Sequence, residues 1–211
     1  MNHTGTDAAA LQRTQGKKAS LSSYIAKFRE LGLLAFIVIL AVGVQLRNPS
    51  FLTWENLNDI ATNTAILAIL SVGMMLVIIT RGIDLSIGAT LALSGMTAAL
   101  TVSHNPGLHP LAAILVGVGI GLLCGIVVGF LVSWVNILPI IATLGMMNVF
   151  RGLTFETSGG KWVSAHQMPE SFKGIATGAF LGINNLIWIA AVIYIVAYYF
   201  VSHTRTGRRV Y

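Results

Sequence analysis

Charge is what this 211-residue sequence has least of: 9% of its side chains are Asp, Glu, Lys or Arg, against about a quarter in an ordinary soluble domain. So few ionic groups cannot cover a compact globule in water, and a soluble enzyme is excluded. Cysteine is almost absent too. Cys124 stands alone and the five His are widely scattered, so neither a disulfide scaffold nor a Cys/His zinc site can be assembled. No ladder of Asp, Glu or His runs through the apolar stretches, which argues against an ion-driven pump. The sequence also lacks a Walker-type phosphate loop, a Gly-x-Ser-x-Gly nucleophile elbow and a His-Glu-x-x-His pair. If ATP drives a process here, another chain binds it. The net charge of +6 sits in tails and loops rather than in a basic stripe interleaved with aromatics, which excludes nucleic acid as a partner.

What is present is apolar: 55% hydrophobic residues and a mean hydropathy of +0.79. A membrane-spanning helix needs about 20 mainly apolar residues. Runs of that kind lie at Leu31 to Leu46, Thr64 to Thr80, Ile87 to Ser103, Leu111 to Ile137, Leu138 to Phe155 and Ile183 to Val201. The sequence therefore predicts an all-α polytopic membrane protein with about six transmembrane helices, and makes membrane lipid its surroundings.

Positive charge orients the spans. Residues 1–30 form a basic tail with Arg13, Lys17, Lys18, Lys27 and Arg29, in which Leu21, Tyr24, Ile25 and Phe28 keep helical spacing, as in a short helix lying on the membrane. The charged region is too long for a cleaved signal peptide. With the tail in the cytoplasm, a membrane domain over 31–203 returns the chain inside. There 204–211 begins a cytoplasmic loop carrying Arg205, Gly207, Arg208, Arg209 and Tyr211. The 156–178 segment is then an extracytoplasmic loop, long enough to serve as a docking surface or a lid as well as a connector.

Three features carry possible chemistry. Gly117, Gly121, Gly125 and Gly129, four residues apart, make a glycine ridge along the fourth span, suited to close helix packing or to sliding during a conformational cycle. Between the second and third spans, Arg81-Gly82-Ile83-Asp84-Leu85-Ser86-Ile87-Gly88 must break the helix. Asp84 and Ser86 can cap the next helix, or the break can line a cavity for polar solutes. On the fifth span Thr143, Met147 and Arg151 share a face, with Asn148 beside it and Asn136 just before Pro139. These polar groups either bond between helices or line a path for a hydroxyl-rich solute.

The motifs together resemble a known family. Asn48-Pro49-Ser50-Phe51-Leu52-Thr53, Gly82-Ile83-Asp84-Leu85-Ser86-Ile87-Gly88, Leu91-Ala92-Leu93-Ser94-Gly95, Pro139-Ile140-Ile141-Ala142-Thr143-Leu144-Gly145-Met146 and Thr204-Arg205-Thr206-Gly207-Arg208-Arg209 are similar, in order, to ribose/xylose-type permease subunits of bacterial ABC importers. Gly160-Lys161-Trp162-Val163 after Ser158-Gly159 is more similar to the rhamnose and autoinducer-2 branch. Arg81 stands where many members carry Gly.

The resemblance implies an inner-membrane subunit that translocates a monosaccharide or related small polyol-like solute and performs no covalent chemistry. It also implies the partners: a second permease subunit, a cytoplasmic ATPase with two cassettes that binds the ATP and Mg, and a periplasmic sugar-binding protein. No cofactor is expected in this chain itself. Members of the family continue past Tyr211, so the sequence reads as the N-terminal part of a larger permease fold. The competing classes are an ion-coupled secondary transporter, which would need an intramembrane ionic site, and a non-transporting membrane scaffold.

Overall fold

The computed structural model of the protein describes residues 31–209. The expected surface helix at Leu21 to Phe28 and the terminal Tyr211 lie outside that range. Seven α-helices follow one another: α1 Leu31–Arg47, α2 Trp54–Ile79, α3 Ile87–His104, α4 Pro110–Ser133, α5 Pro139–Ser158, α6 Glu170–Thr177 and α7 Asn185–His203. Helices α2, α4 and α7 are long and apolar enough to cross a membrane, and α1 is a shorter apolar helix. Among the described residues the fold is all-α apart from a hairpin of two-residue strands, Ala179–Phe180 against Ile183–Asn184.

Each apolar run forms a helix, and local chemistry sets the ends. Pro110 and Pro139 open α4 and α5 in the first turn, where a missing N–H removes no helical bond. Helix α2 begins ten residues ahead of its apolar run, and hydroxyl groups near that junction bond back to their own helix: Thr62 Oγ1 donates to Asn58 O at 2.7 Å and Thr64 Oγ1 to Ile60 O at 2.7 Å. The 156–178 segment, expected to be a loop, is largely folded. Helix α5 continues to Ser158, a 3₁₀ turn covers Ala165–Gln167, and α6 fills Glu170–Thr177 with a Lys173–Glu170 ion pair at 2.6 Å.

The chain divides into two compact units, Met1–Leu57 and Asn58–Tyr211. In the first, Gln45 staples the turn after α1: its Nε2 donates to Pro49 O at 3.0 Å and its Oε1 accepts from Leu52 N at 2.9 Å. In the second, α3, α4 and α5 form the packed centre, with Ala89, Leu93, Cys124, Val128 and Phe150 buried together. Helices α3 and α5 run in the same direction: the Asp84 end of one lies beside the Thr143 end of the other, and His104 lies beside Ser158. Helix α4 returns antiparallel, its Gly117 touching Ser94 and Ala98. Asn184 caps α7 by accepting from Leu186 N at 2.8 Å, and its own N–H donates to Asn58 Oδ1 of α2 at 3.2 Å.

Candidate functional site

The break between α2 and α3 is built by two different devices. Helix α2 closes in a Schellman motif: Gly82 N–H donates to Val77 O at 2.9 Å and Arg81 N–H to Ile78 O at 2.9 Å. Such a closure requires a left-handed residue at the position after the cap, and Arg81 takes it with φ 62°. Helix α5 ends in the same motif with Gly159 at φ 57°, the residue type that adopts this conformation without steric cost. Gly82 cannot easily be larger, since a Cβ there would lie 3.1 Å from Val77 Cγ1.

Asp84 and Ser86 do not cap α3 in the expected way. Ser86 is the N-cap residue but its hydroxyl accepts nothing from the helix. Instead the Ser86 N–H (2.8 Å) and Oγ (2.6 Å) both donate to Asp84 Oδ1. Ser86 is 1% exposed, so this pair is a shielded charge-assisted bond, roughly twice as strong as a neutral one. Among the described residues Asp84 Oδ2 has no partner.

That carboxylate borders a cavity of about 290 Å³. Its walls come from the end of α2 (Val77, Thr80), the break (Gly82, Ile83, Asp84), α4 (Gly125, Val128, Gly129, Val132) and the start of α5 (Pro139, Thr143). Thr143 is 1% exposed and donates Oγ1 to Pro139 O at 2.8 Å, one turn back in its own helix; Ile83 O, across the break, is 3.5 Å away. Gly125 and Gly129 make room: a Cβ at either would meet nothing within 4 Å. The chamber is therefore mostly apolar, with a free carboxylate oxygen at its edge.

The glycine ridge accordingly has two parts. Only Gly117 is in a tight contact, its would-be Cβ 3.4 Å from Ala98 Cβ and Ser94 O. Gly121, Gly125 and Gly129 face open space among the described residues. The other sequence candidates lie apart from the chamber. Asn136 occupies the α4–α5 turn with φ 59°; Met147 packs against the buried core; Asn148 is exposed and donates Nδ2 to Leu144 O at 3.1 Å. The chamber residues missed by sequence reasoning, Val77, Thr80, Val128, Val132 and Pro139, carry a signal only as residues near the two helix breaks.

At the chain's end Gly207 is buried under the last turn of α7, its N–H donating to Thr204 Oγ1 at 2.9 Å. A side chain there would overlap the Phe200 and Val201 backbone. Arg205 and Arg208 are exposed, and the backbone of Arg209 shares a 3₁₀ turn with Gly207 and Arg208.

Comparison with known proteins places these features. The family model described as branched-chain amino acid transport system / permease component matches residues 56–211. The ribose import permease protein RbsC of Escherichia coli strain K12 is 34% identical over 202 residues, 95% of this chain and 61% of that protein. Its Haemophilus influenzae counterpart is 37% identical over 180 residues, 84% of this chain and 55% of that protein. The autoinducer 2 import system permease protein LsrC of Salmonella typhi is 32% identical over 189 residues, 89% of this chain and 53% of that protein. The chain thus spans between half and two thirds of the length of these relatives. No solved structure matches it.

Proposed function

The chain belongs to the branched-chain amino acid transport system / permease component family, and from that premise we propose that it forms part of the solute-conducting subunit of a bacterial ABC importer for a monosaccharide or a related small polyol-like solute. The observation that carries this reading is the likeness to a ribose import permease over 95% of the chain. The subunit crosses the inner membrane several times with its N-terminus in the cytoplasm. It pairs with a second permease subunit, a two-cassette ATPase that supplies ATP and Mg chemistry, and a periplasmic sugar-binding protein. It makes and breaks no covalent bond.

Within that scheme the Asp84 chamber lies on the path toward the cytoplasmic side, since with an inner N-terminus the α2–α3 break faces inward. The geometry supports the assignment in two ways. Backbone groups freed by a helix break are tolerated where they line a water-accessible cavity, and a carboxylate oxygen without a partner can accept the hydroxyl protons of a polyol. Thr80 and Thr143 have already donated theirs to the backbone, which leaves their oxygens as further acceptors. Binding need only be weak there, because a conducting site must also release its solute.

The test is uptake of labelled ribose and of autoinducer-2 by the importer assembled with its ATPase and binding protein. Asp84→Asn is expected to reduce uptake at least tenfold at unchanged membrane level and unchanged binding-protein affinity. Wild-type uptake by that variant would remove Asp84 from the path. Failure of the unaltered importer to take up any small polyol would overturn the substrate class.

A further inference from the structure

A second cavity, of about 400 Å³, lies at the far end of the α3–α5 pair. Helix α3 has 18 residues and α5 has 20, so at about 1.5 Å rise the two cavities are roughly 27–30 Å apart, close to the thickness of a bilayer's hydrocarbon. Ser103 and His104 from α3, Ser158 from α5, and Lys161, Trp162 and Gln167 from the following segment supply its polar wall.

The chemistry of that wall is one-sided. Among the described residues no Asp or Glu lines the cavity. Lys161 is exposed, and among the described residues its ammonium, the Trp162 indole N–H and the His104 ring have no hydrogen-bond or ion-pair partner. Trp162 is 86% exposed, an unusual position for the largest apolar side chain unless something covers it. Gln167 is fixed: its Oε1 accepts from Ser164 N at 2.7 Å, which leaves the amide NH₂ as the free end. The two Ser hydroxyls donate to Leu100 O and Phe155 O of their own helices and offer no protons. The Ser oxygens remain as weak acceptors only, and among the described residues the wall holds no carboxylate, the strong acceptor that the Asp84 chamber offers a polyol.

The C-terminal carbonyls of α3 and α5 converge here, and their dipoles disfavour a negative guest. For α5 this is largely cancelled, because Gly159, Gly160 and Lys161 N–H groups bond to Glu156, Phe155 and Ser158 carbonyls. The ammonium is left as the dominant charge.

We propose that this cavity binds a phosphate-type oxyanion, with the Lys161 ammonium as the charged contact and the Trp162 and Gln167 N–H groups as flanking donors. The source is either a soluble phosphate compound or the headgroup of an anionic lipid, since a Trp and a Lys at the end of two bilayer-length helices suit the membrane interface. The site is independent of the Asp84 chamber and of the solute that the importer carries.

Inorganic phosphate is the probe. Purified full chain in a neutral maltoside detergent is titrated with sodium phosphate at constant ionic strength set by chloride, reading tryptophan fluorescence. A saturable change is expected, absent in Trp162→Phe, retained in Lys161→Arg, and shifted at least tenfold to higher phosphate in Lys161→Gln. Exposure of Lys161 means that these variants should fold, and an unchanged gel-filtration profile checks it. Repeating the titration in nanodiscs identifies the source. A severalfold weaker phosphate response in phosphatidylglycerol than in phosphatidylcholine means that a lipid headgroup occupies the site, and equal responses mean a soluble ligand. No saturable response in the unaltered chain, or an unchanged midpoint in Lys161→Gln, would overturn the proposal.

Discussion

Replacing Gly117 and Gly129 in turn by Leu separates packing from conduction along one helix. At position 117 a Cβ already lies 3.4 Å from both Ala98 Cβ and Ser94 O, so Ala just fits and the three further carbons of Leu must force α3 and α4 apart at a cost of about 1–3 kcal/mol. At position 129 a Cβ meets nothing within 4 Å, and removing a helical Gly gains up to about 1 kcal/mol. The propensity gain is common to both positions, so the two variants should differ in stability by the overpacking at 117, about 1–3 kcal/mol, although the substitution is the same. Their effects on uptake should separate too. The Gly129→Leu substitution adds four carbons, each near the ~30 Å³ of a water molecule, so roughly 120 Å³ of a chamber of about 290 Å³ would be lost. Thermal unfolding in detergent and solute uptake by the assembled importer are the assays, with co-purification of the partner subunits as the control. Gly117→Leu should lose stability, whereas Gly129→Leu should fold, assemble and fail to transport. Equal stability of the two variants, or normal uptake by Gly129→Leu, would refute the division of the ridge. Loss of subunit assembly in Gly129→Leu would return that glycine to a packing role.

Three further outcomes follow from the same geometry. Ser86→Ala removes a buried bond to Asp84 and should lower stability by about 1.5–3 kcal/mol, read as the unfolding midpoint; a change within error would mean that the pair is not shielded. Arg81→Gly should raise stability slightly, by about 1 kcal/mol, because the left-handed conformation at φ 62° costs an L-residue about that much; destabilisation would show that the Arg side chain holds the turn. In a Cys124-free background, Ser164→Cys should react with an impermeant thiol reagent in intact cells and Ser20→Cys should not, and the reverse pattern would invert the topology.

The helices were legible in the sequence because each apolar run is bounded by charge, Pro or Gly, and all six runs are helical. Their ends were less so. The start of α2 at Trp54 is hidden by Glu55, Asn56, Asn58 and Asp59, and its polar residues are carried by side chains bonded within the helix. Folding of the 156–178 segment escaped notice because α6 is short and is held by contact with α7. For the site, the break was visible in Gly82 and Asp84, but the direction of the Ser86 bond was not, since the same two residue types serve capping and the observed pair equally. Helical spacing put Met147 with Thr143 on one face, yet the face turns toward the core, where Met147 packs against buried side chains. Spacing fixes which residues share a face and says nothing of what that face meets, which also explains why four evenly spaced glycines have different surroundings.

The most direct test of the conducting role of the chamber is solute protection of a single cysteine. Gly129→Cys places a thiol in the chamber wall, and Gly121→Cys places one two turns away, outside the lining, in equally open space. In a Cys124→Ala background, labelling by a small thiol reagent is followed in the assembled importer with and without saturating ribose or autoinducer-2 and ATP. The transported solute should slow labelling at position 129 severalfold and leave position 121 unchanged. Equal labelling at position 129 with and without solute would contradict a path through the Asp84 chamber.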